Sequence, residues 1–464
     1  MKRITLTLAG LLALNSGLAL AQTHPAITSW LRNTTHVRGR HYNSGNPSPI
    51  ADTAHANVQR VRYSASYAYV NSSGIPAYVT GPFLDGNRAT ATNRNFLFKF
   101  PLAPRQQTGT PTSSSRLGNL GVFINGVPIY NYLDGNTYNN QGIWHQNAVM
   151  FENTGFDCAK GHPSPVFSGG GGGPGGGGTL VGGTYHHHQN PSAFNIATVP
   201  MSTVCNMYLA DGLYVPDSTR HGPLIGFAFD GYPIYGGYGY ANPQQAGPIK
   251  RMTPGYRLRN ITARTTLANG TQLTATQYGP SLATRALGYY GEDYEYVAGS
   301  GDLDDHNGRF CVTPEYPNGT YAYFATIDRR GNSVFPYLIG STYYGVVETS
   351  NFAAMGSTNP TQVVVNEPVQ TYTGTVTATA APALTGSWTA FPSPAHEVLV
   401  VQVTVAAAET RTVELLDLAG RVVARQPLYP GSTMCYFPTQ TLTSGAYLVR
   451  LPGSAAAPLK VVIE

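Results

Sequence analysis

Two histidines, His186 and His188, stand one residue apart in the run Gly183-Thr184-Tyr185-His186-His187-His188. On a strand, residues i and i+2 share a face, so His186 and His188 present two imidazoles side by side while Tyr185 and His187 face the other way. Such a pair is a bidentate metal arm, and imidazole suits copper, zinc, iron and nickel. Further ligands are sought among His145, His162, His221 and His306, each in a loop rich in Gly, Pro, Asn or Asp. His162, in Gly161-His162-Pro163, ranks third, because the glycine-rich segment 169–178 can fold it back as the partner side of a hairpin. His306 follows, in the loop Asp302-Leu303-Asp304-Asp305-His306-Asn307-Gly308. The expected set is therefore His186, His188, His162 and His306 around a copper or zinc ion. The plainer alternative is a hydrogen-bonded strand cluster of structural histidines, a side chain that is moderately buried in most proteins.

Other constellations are weaker. Glu292, Asp293 and Glu295, then Asp302, Asp304 and Asp305, with Asp230 and Glu315, offer oxygen ligands of the kind calcium takes. The acidic loop 302–305 is a candidate Ca²⁺ site, though it has neither the spacing nor the closing Glu of an EF-hand. Paired carboxylates working on a sugar need a defined separation, which sequence does not supply. The glycine run lacks the Gly-Lys-Ser/Thr that phosphate cradling requires, and no Gly-x-Ser-x-Gly elbow supports a hydrolase triad. Of the 4 cysteines, Cys435 lies in the C-terminal region. One bridge among Cys158, Cys205 and Cys311 is the economical reading, with Cys158 to Cys205 bracing the histidine hairpin, or Cys158 or Cys311 serving as a soft copper ligand.

The elements that must position these residues are strands. Gly 53, Pro 34 and Tyr 31 disfavour helix interiors and suit turns and pleated surfaces. Charged residues make up 11% of the chain and the net charge is +5, with no Lys/Arg block, so nucleic-acid binding is excluded as a class. At 42% hydrophobic the chain can bury a core.

An internal repeat runs through the middle. Asn125-Gly126-Val127-Pro128-Ile129-Tyr130, Gly161-His162-Pro163 and Gly183-Thr184-Tyr185 answer to Asp230-Gly231-Tyr232-Pro233-Ile234-Tyr235, Asn307-Gly308-Arg309 and Gly319-Thr320-Tyr321-Ala322-Tyr323-Phe324. Two related halves, 121–188 and 225–324, imply a pseudo-twofold arrangement. Only the first keeps the histidine arm, which is what a single functional site leaves behind.

The ends differ from this core. Met1, Lys2 and Arg3 precede an apolar stretch from Ile4 to Leu20, and Ala19-Leu20-Ala21 before Gln22 reads as a signal-peptide cleavage site, giving residues 1–21 as signal peptide. No later segment is long and apolar enough to span a membrane. Residues 22–118 are assigned to a flanking β segment packed on the core, with strands at Val61–Val70 and Asn95–Phe100. Residues 351–386 read as a linker rich in small residues.

Two resemblances follow from these motifs. Gly161-His162-Pro163, Gly183-Thr184-Tyr185-His186-His187-His188, Gly226-Phe227-Ala228-Phe229-Asp230-Gly231-Tyr232-Pro233-Ile234-Tyr235-Gly236 and Pro314-Glu315-Tyr316-Pro317-Asn318-Gly319-Thr320-Tyr321 resemble the YHYH-domain proteins over residues 119–350. His187 stands where that family has tyrosine. The resemblance implies an architecture without a reaction. Pro392-Ser393-Pro394-Ala395, Asp417-Leu418-Ala419-Gly420-Arg421 and Gly445-Ala446-Tyr447 resemble the C-terminal sorting domain of the Bacteroidetes type IX secretion system. That resemblance implies a small Ig-like β-sandwich over 387–464, handling by the type IX machinery, and a secreted or cell-surface location. The fold expected is mainly β throughout. The function expected is metal binding at the His-x-His arm, or alternatively non-enzymatic adhesion to an extracellular glycan or surface partner.

Overall fold

The computed structural model describes residues 24–43, 45–46, 48–115, 118–168, 178–191, 214, 216–353, 360–374, 388–404, 411–418, 421–429, 432–440, 442–452 and 458–464. The expected signal peptide, most of the glycine run, Cys205 and much of the expected linker lie outside them. The chain forms two compact units, residues 1–373 and 374–464.

The first unit is organised by one eight-stranded sheet. Its strands are β1 (Asn119–Phe123), β2 (Pro128–Tyr130), β3 (Gly161–Ser168), β4 (Thr179–His187), β5 (Leu224–Ala228), β6 (Pro233–Tyr235), β7 (Gly308–Cys311) and β8 (Thr320–Phe324). Their order across the sheet is β3-β4-β2-β1-β5-β6-β8-β7. Each half is the same four-strand unit: a hairpin, β1-β2 or β5-β6, then a parallel neighbour, β4 or β8, then an antiparallel edge, β3 or β7.

The halves meet where β1 runs antiparallel to β5, with Val122 opposite Phe227. Those two residues occupy the same place in the repeat, three positions before Asn125 and Asp230 respectively. The pseudo-twofold axis therefore passes through their pair.

The repeat extends to the turns. Asp157 Oδ1 accepts from the amides of Ala159 and Gly161 at 3.0 and 3.1 Å, and Asp304 Oδ1 from His306 and Gly308 at the same distances. Lys160 and Asn307 take φ of 64° and 66° to close these turns. A Cβ on Gly161 or Gly308 would lie 2.4 Å from the hydroxyl of Tyr185 or Tyr321, so only glycine admits the tyrosine that bonds each aspartate, Tyr185 to Asp157 at 2.7 Å and Tyr321 to Asp304 at 2.8 Å.

A second sheet covers one face of the first. Its order is Gln370–Thr371, Val58–Tyr63, Tyr67–Ser72, Phe96–Pro101. In Phe96–Pro101 alternate residues are buried, so Phe96, Phe98 and Phe100 point inward as strand periodicity requires. Phe100 meets Phe227 at 5.9 Å and Phe98 meets Phe229 at 5.9 Å, and these rings share one core with Val58, Val61, Val122, Ile225 and Tyr323.

Two expectations change here. Val61–Val70 is a hairpin rather than one strand, because the Ser64 hydroxyl accepts from the amides of Ser66 and Tyr67 and turns the chain. The front of the expected linker is part of the core. Gln370 accepts from the Tyr63 hydroxyl at 2.8 Å, Glu367 from that of Tyr69 at 2.5 Å, and the Tyr372 carbonyl from Arg32 at 2.9 Å.

The second unit is built of a three-stranded sheet (Trp388–Phe391, Val398–Val403, Met434–Pro438) and a four-stranded sheet (Val422–Leu428, Arg411–Leu416, Gly445–Arg450, Leu459–Ile463). Both contribute to one apolar cluster that includes Leu399, Val401, Val413, Leu415, Phe437, Val449 and Ile463. The Asp417 turn is closed by the amide and guanidinium of Arg421, at 2.9 and 2.8 Å. No helix among the described residues is long and apolar enough to cross a membrane.

Candidate metal centre

The register of the β3-β4 hairpin sets His162 directly opposite His186. His188 follows one turn of the pleat later on the same face as His186. Tyr185 and His187 point to the other face, where the Tyr78 hydroxyl meets His187 Nε2 at 2.7 Å. Burial holds His187 neutral, its pKa pushed down to about 3.

On the first face three imidazoles converge. His186 Nε2 lies 3.0 Å from His188 Nε2, and His162 Nε2 lies 3.4 Å from the same atom. Glu152, on the turn after a short helix (Ala148–Phe151), adds a carboxylate. Its Oε2 is 2.7 Å from His162 Nε2 and 3.2 Å from His188 Nε2. Among the described residues this is the one group of three or more metal-ligating side chains, with all four ligand atoms within 4.8 Å of one another.

The orientation of the rings is fixed from behind. His186 Nδ1 donates to the Thr184 carbonyl at 2.9 Å and His188 Nδ1 donates to the Asn131 carbonyl. A carbonyl only accepts, so both protons sit on Nδ1 and the Nε2 atoms carry lone pairs in the neutral rings. This is the outer-shell arrangement that aims metal-bound histidines. Tyr130 stacks on His186 with ring centres 3.7 Å apart, and Phe156 meets His162 edge-on at 4.9 Å.

Electron-rich atoms facing one another in a buried place need a cation between them. Glu152 Oε2 is buried and, despite its nearness to two rings, receives no hydrogen bond of acceptable direction. Burial alone would raise the Glu152 carboxyl, but His188 and His162 beside it outweigh burial and hold it well below the usual carboxylate range. Burial would lower His188, but Glu152 reverses the sign and raises it. His186 is held well below its ordinary value by burial and then by the other two rings. One positive charge, a proton or a metal ion, satisfies the set.

The spacing fits a metal. Two nitrogens bound tetrahedrally to one zinc at about 2.0–2.1 Å lie about 3.3 Å apart, close to the separations above. The donors are three imidazoles and one carboxylate, with no thiolate.

The other residues singled out in the sequence lie elsewhere. His306 is not part of the cluster: its Nδ1 meets the Thr342 hydroxyl at 2.8 Å, and it lies in the turn before β7, the opposite edge of the sheet from β3. The pseudo-twofold carries equivalent loops to opposite edges instead of setting them face to face. His145 pairs with Glu292 at 2.6 Å, and His221 Nδ1 donates to the Gly222 carbonyl.

The carboxylates of loop 302–305 do not draw three ligand atoms together. Asp302 accepts from Lys250 and Thr253, Asp304 from the Tyr321 hydroxyl and turn amides, and Asp305 is exposed. Cys158 is buried outside the cluster, and its expected partner Cys205 lies outside the described residues. Cys311 and Cys435 are free and buried.

Glu152 is the member of the cluster that sequence reasoning misses. It is one of only three carboxylates between residues 119 and 190, a scarcity that could have drawn attention to it.

A mainly β protein with a repeated sheet and one His/Glu cluster on a single copy is the class that fold and site define. The YHYH protein family model matches residues 97–171 and 174–334, and the chain belongs to that family. Residues 389–464 match the secretion system C-terminal sorting domain, which indicates secretion through the type IX system to the cell surface or the extracellular space. No curated protein matches the chain.

Proposed function

We propose that this secreted or cell-surface protein binds one transition-metal ion, zinc or copper(II), through His162, His186, His188 and Glu152. The observation that carries the reading is the convergence of imidazole Nε2 atoms on the buried Oε2 of Glu152, with two of the rings aimed by backbone carbonyls. The absence of thiolate from the donor set and the presence of a carboxylate favour divalent ions over copper(I). Four protein ligands close a tetrahedral site, as in structural zinc centres, whereas catalytic centres keep a position open. The reading is therefore of an ion held for binding or stabilisation, with Glu152, 21% exposed, on the side nearest solvent. A Cys158–Cys205 bridge, proposed alongside, would brace the same hairpin.

Chelator-competition titration of the ion-free protein with zinc and copper(II) tests this. One equivalent should bind, and His186→Ala/His188→Ala should weaken binding by at least about 100-fold, since loss of outer-shell partners alone costs about 10–100-fold. Equal binding by wild type and double variant would overturn the proposal and leave the histidines structural, with non-enzymatic adhesion or glycan binding as the remaining reading.

A further inference from the structure

We infer that the ion fastens the β3-β4 hairpin to the long insertion of the second half, the stretch between β6 and β7, so that occupancy of the site controls how firmly two parts of the core are joined. This inference rests on the metal-binding reading above. The three histidines and Glu152 are held by different parts of the fold. His162 and His186 sit on the hairpin, with His188 at its end. The hairpin is joined to the rest of its sheet by a single residue pair, His187 with Ile129. Its counterpart β8 is joined to β6 by two pairs, and the β1-β5 junction by three. The hairpin thus has the shortest strand pairing to the sheet, its other ties being to the N-terminal segment, where the Tyr78 hydroxyl meets His187, Asn87 Nδ2 donates to the Pro163 carbonyl at 2.8 Å and the Thr92 amide donates to the Gly183 carbonyl at 3.0 Å, and to the Asn131 carbonyl through His188.

Glu152 belongs to a segment docked on residues 264–297 of the second half. Asn147, which caps the helix before it, donates from Nδ2 to the Gly288 carbonyl at 3.1 Å and to the Tyr337 hydroxyl at 2.8 Å. Its amide donates to the Tyr289 carbonyl at 2.9 Å. Phe151 meets Tyr289 edge-on at 5.4 Å, and the Arg285 guanidinium lies over Phe151. Upstream, the amide and Nδ1 of His145 engage both oxygens of Glu292, and Trp144 Nε1 donates to the Gln277 carbonyl at 3.0 Å. Between this platform and the histidines the Glu152 carboxylate is the bridging group. An ion bound by all four ligands ties the hairpin edge to the insertion, and openings that separate the two must release it.

Hydrogen exchange read by mass spectrometry on the full chain tests this, with and without zinc, on wild type and Glu152→Ala. At zinc about 100 times Kd, openings that release the ion become about 100-fold rarer. In wild type, exchange in peptides from 144–156 and 285–293 should slow together with that in 161–168 and 179–188. In Glu152→Ala the histidines still recruit zinc and slow the hairpin, while 144–156 and 285–293 no longer respond. If wild type binds zinc by titration yet 285–293 exchanges at an unchanged rate, the fastening is wrong and the binding site stands. The fastening is equally wrong if the insertion slows to the same extent in Glu152→Ala. If titration finds no zinc bound to wild type, both readings fall. The wild-type comparison needs no variant, so a poorly folded Glu152→Ala does not blunt it.

Discussion

Where the first half of the sheet carries His162, His186 and His188, the second carries Arg309, Ala322 and Phe324. The correspondence is fixed by register: His162 faces His186 as Arg309 faces Ala322, and His187 beside Ile129 matches Tyr323 beside Ile234. What the halves share is scaffold. The aspartate turn, the glycine under the tyrosine hydroxyl and the Tyr185–Asp157 and Tyr321–Asp304 bonds recur with nearly the same distances. What they do not share is the converging nitrogen set. Arg309 lies over the Phe324 ring, so a fixed cation and an apolar side chain stand where the first half gathers lone pairs. A duplicated sheet can therefore keep its turn chemistry in both copies while only one gathers a His/Glu cluster, and the tyrosines of the shared motif belong to the architecture.

The largest effect is expected from making the halves alike. His162→Arg/His186→Ala/His188→Phe gives the first half the residues of the second at these positions and should abolish ion binding in the titration described above. The reciprocal graft, Arg309→His/Ala322→His/Phe324→His, supplies three imidazoles without a counterpart of Glu152, and should bind zinc more weakly than the native site. Tight binding by the graft would mean the carboxylate is dispensable.

Next comes Phe324 itself, fully buried. Phe324→Ala should cost about 3–5 kcal/mol in denaturant unfolding, whereas His188→Ala in the ion-free protein should cost far less, since it removes a ring that faces other polar groups. Similar losses at both positions would contradict the division into core and ligand.

The third concerns Asp230, which stands where the first half has Asn125. Both side chains accept from the amide two residues on, at 3.2 and 3.1 Å, but burial raises the Asp230 carboxyl to about 6 from its ordinary 3.8. A carboxyl raised on folding contributes stability that is fully present below about pH 4 and lost as pH rises through about 6. Two units correspond to about 3 kcal/mol. Asp230→Asn should remove that fall, so its unfolding free energy, measured between pH 4 and 7, should vary less than that of wild type. An unchanged profile would mean Asp230 ionises freely in the fold.

The smallest effect should be the most symmetrical. Tyr185→Phe and Tyr321→Phe deprive the buried Asp157 and the half-buried Asp304 of a donor and should each cost about 1–3 kcal/mol. A large inequality would show that one turn matters more than the repeat implies.

Much of this was legible in the sequence, for identifiable reasons. The His-x-His arm could be read because a strand has a period of two, and the halves because Asn-Gly-Val-Pro-Ile-Tyr and Asp-Gly-Tyr-Pro-Ile-Tyr share a turn and a strand start. His306 was placed wrongly because sequence gives the equivalence of two loops but not the distance between them; a twofold through Val122 and Phe227 puts them at opposite edges. Glu152 was not legible because a helix of four residues has no periodicity to announce it, and Tyr289 and Tyr337, which dock that helix through Phe151 and Asn147, lie far along the chain. The Val61–Val70 hairpin was hidden because its turn is made by a serine hydroxyl within a run that still alternates.

The central claim is that the first half, and not the second, holds an ion. Elemental analysis by plasma mass spectrometry of the protein purified without a histidine tag, beside His186→Ala/His188→Ala, addresses it most directly. The account predicts close to one zinc or copper per chain in the wild type and none in the variant. No bound metal, together with melting unchanged by added zinc or copper, would contradict it.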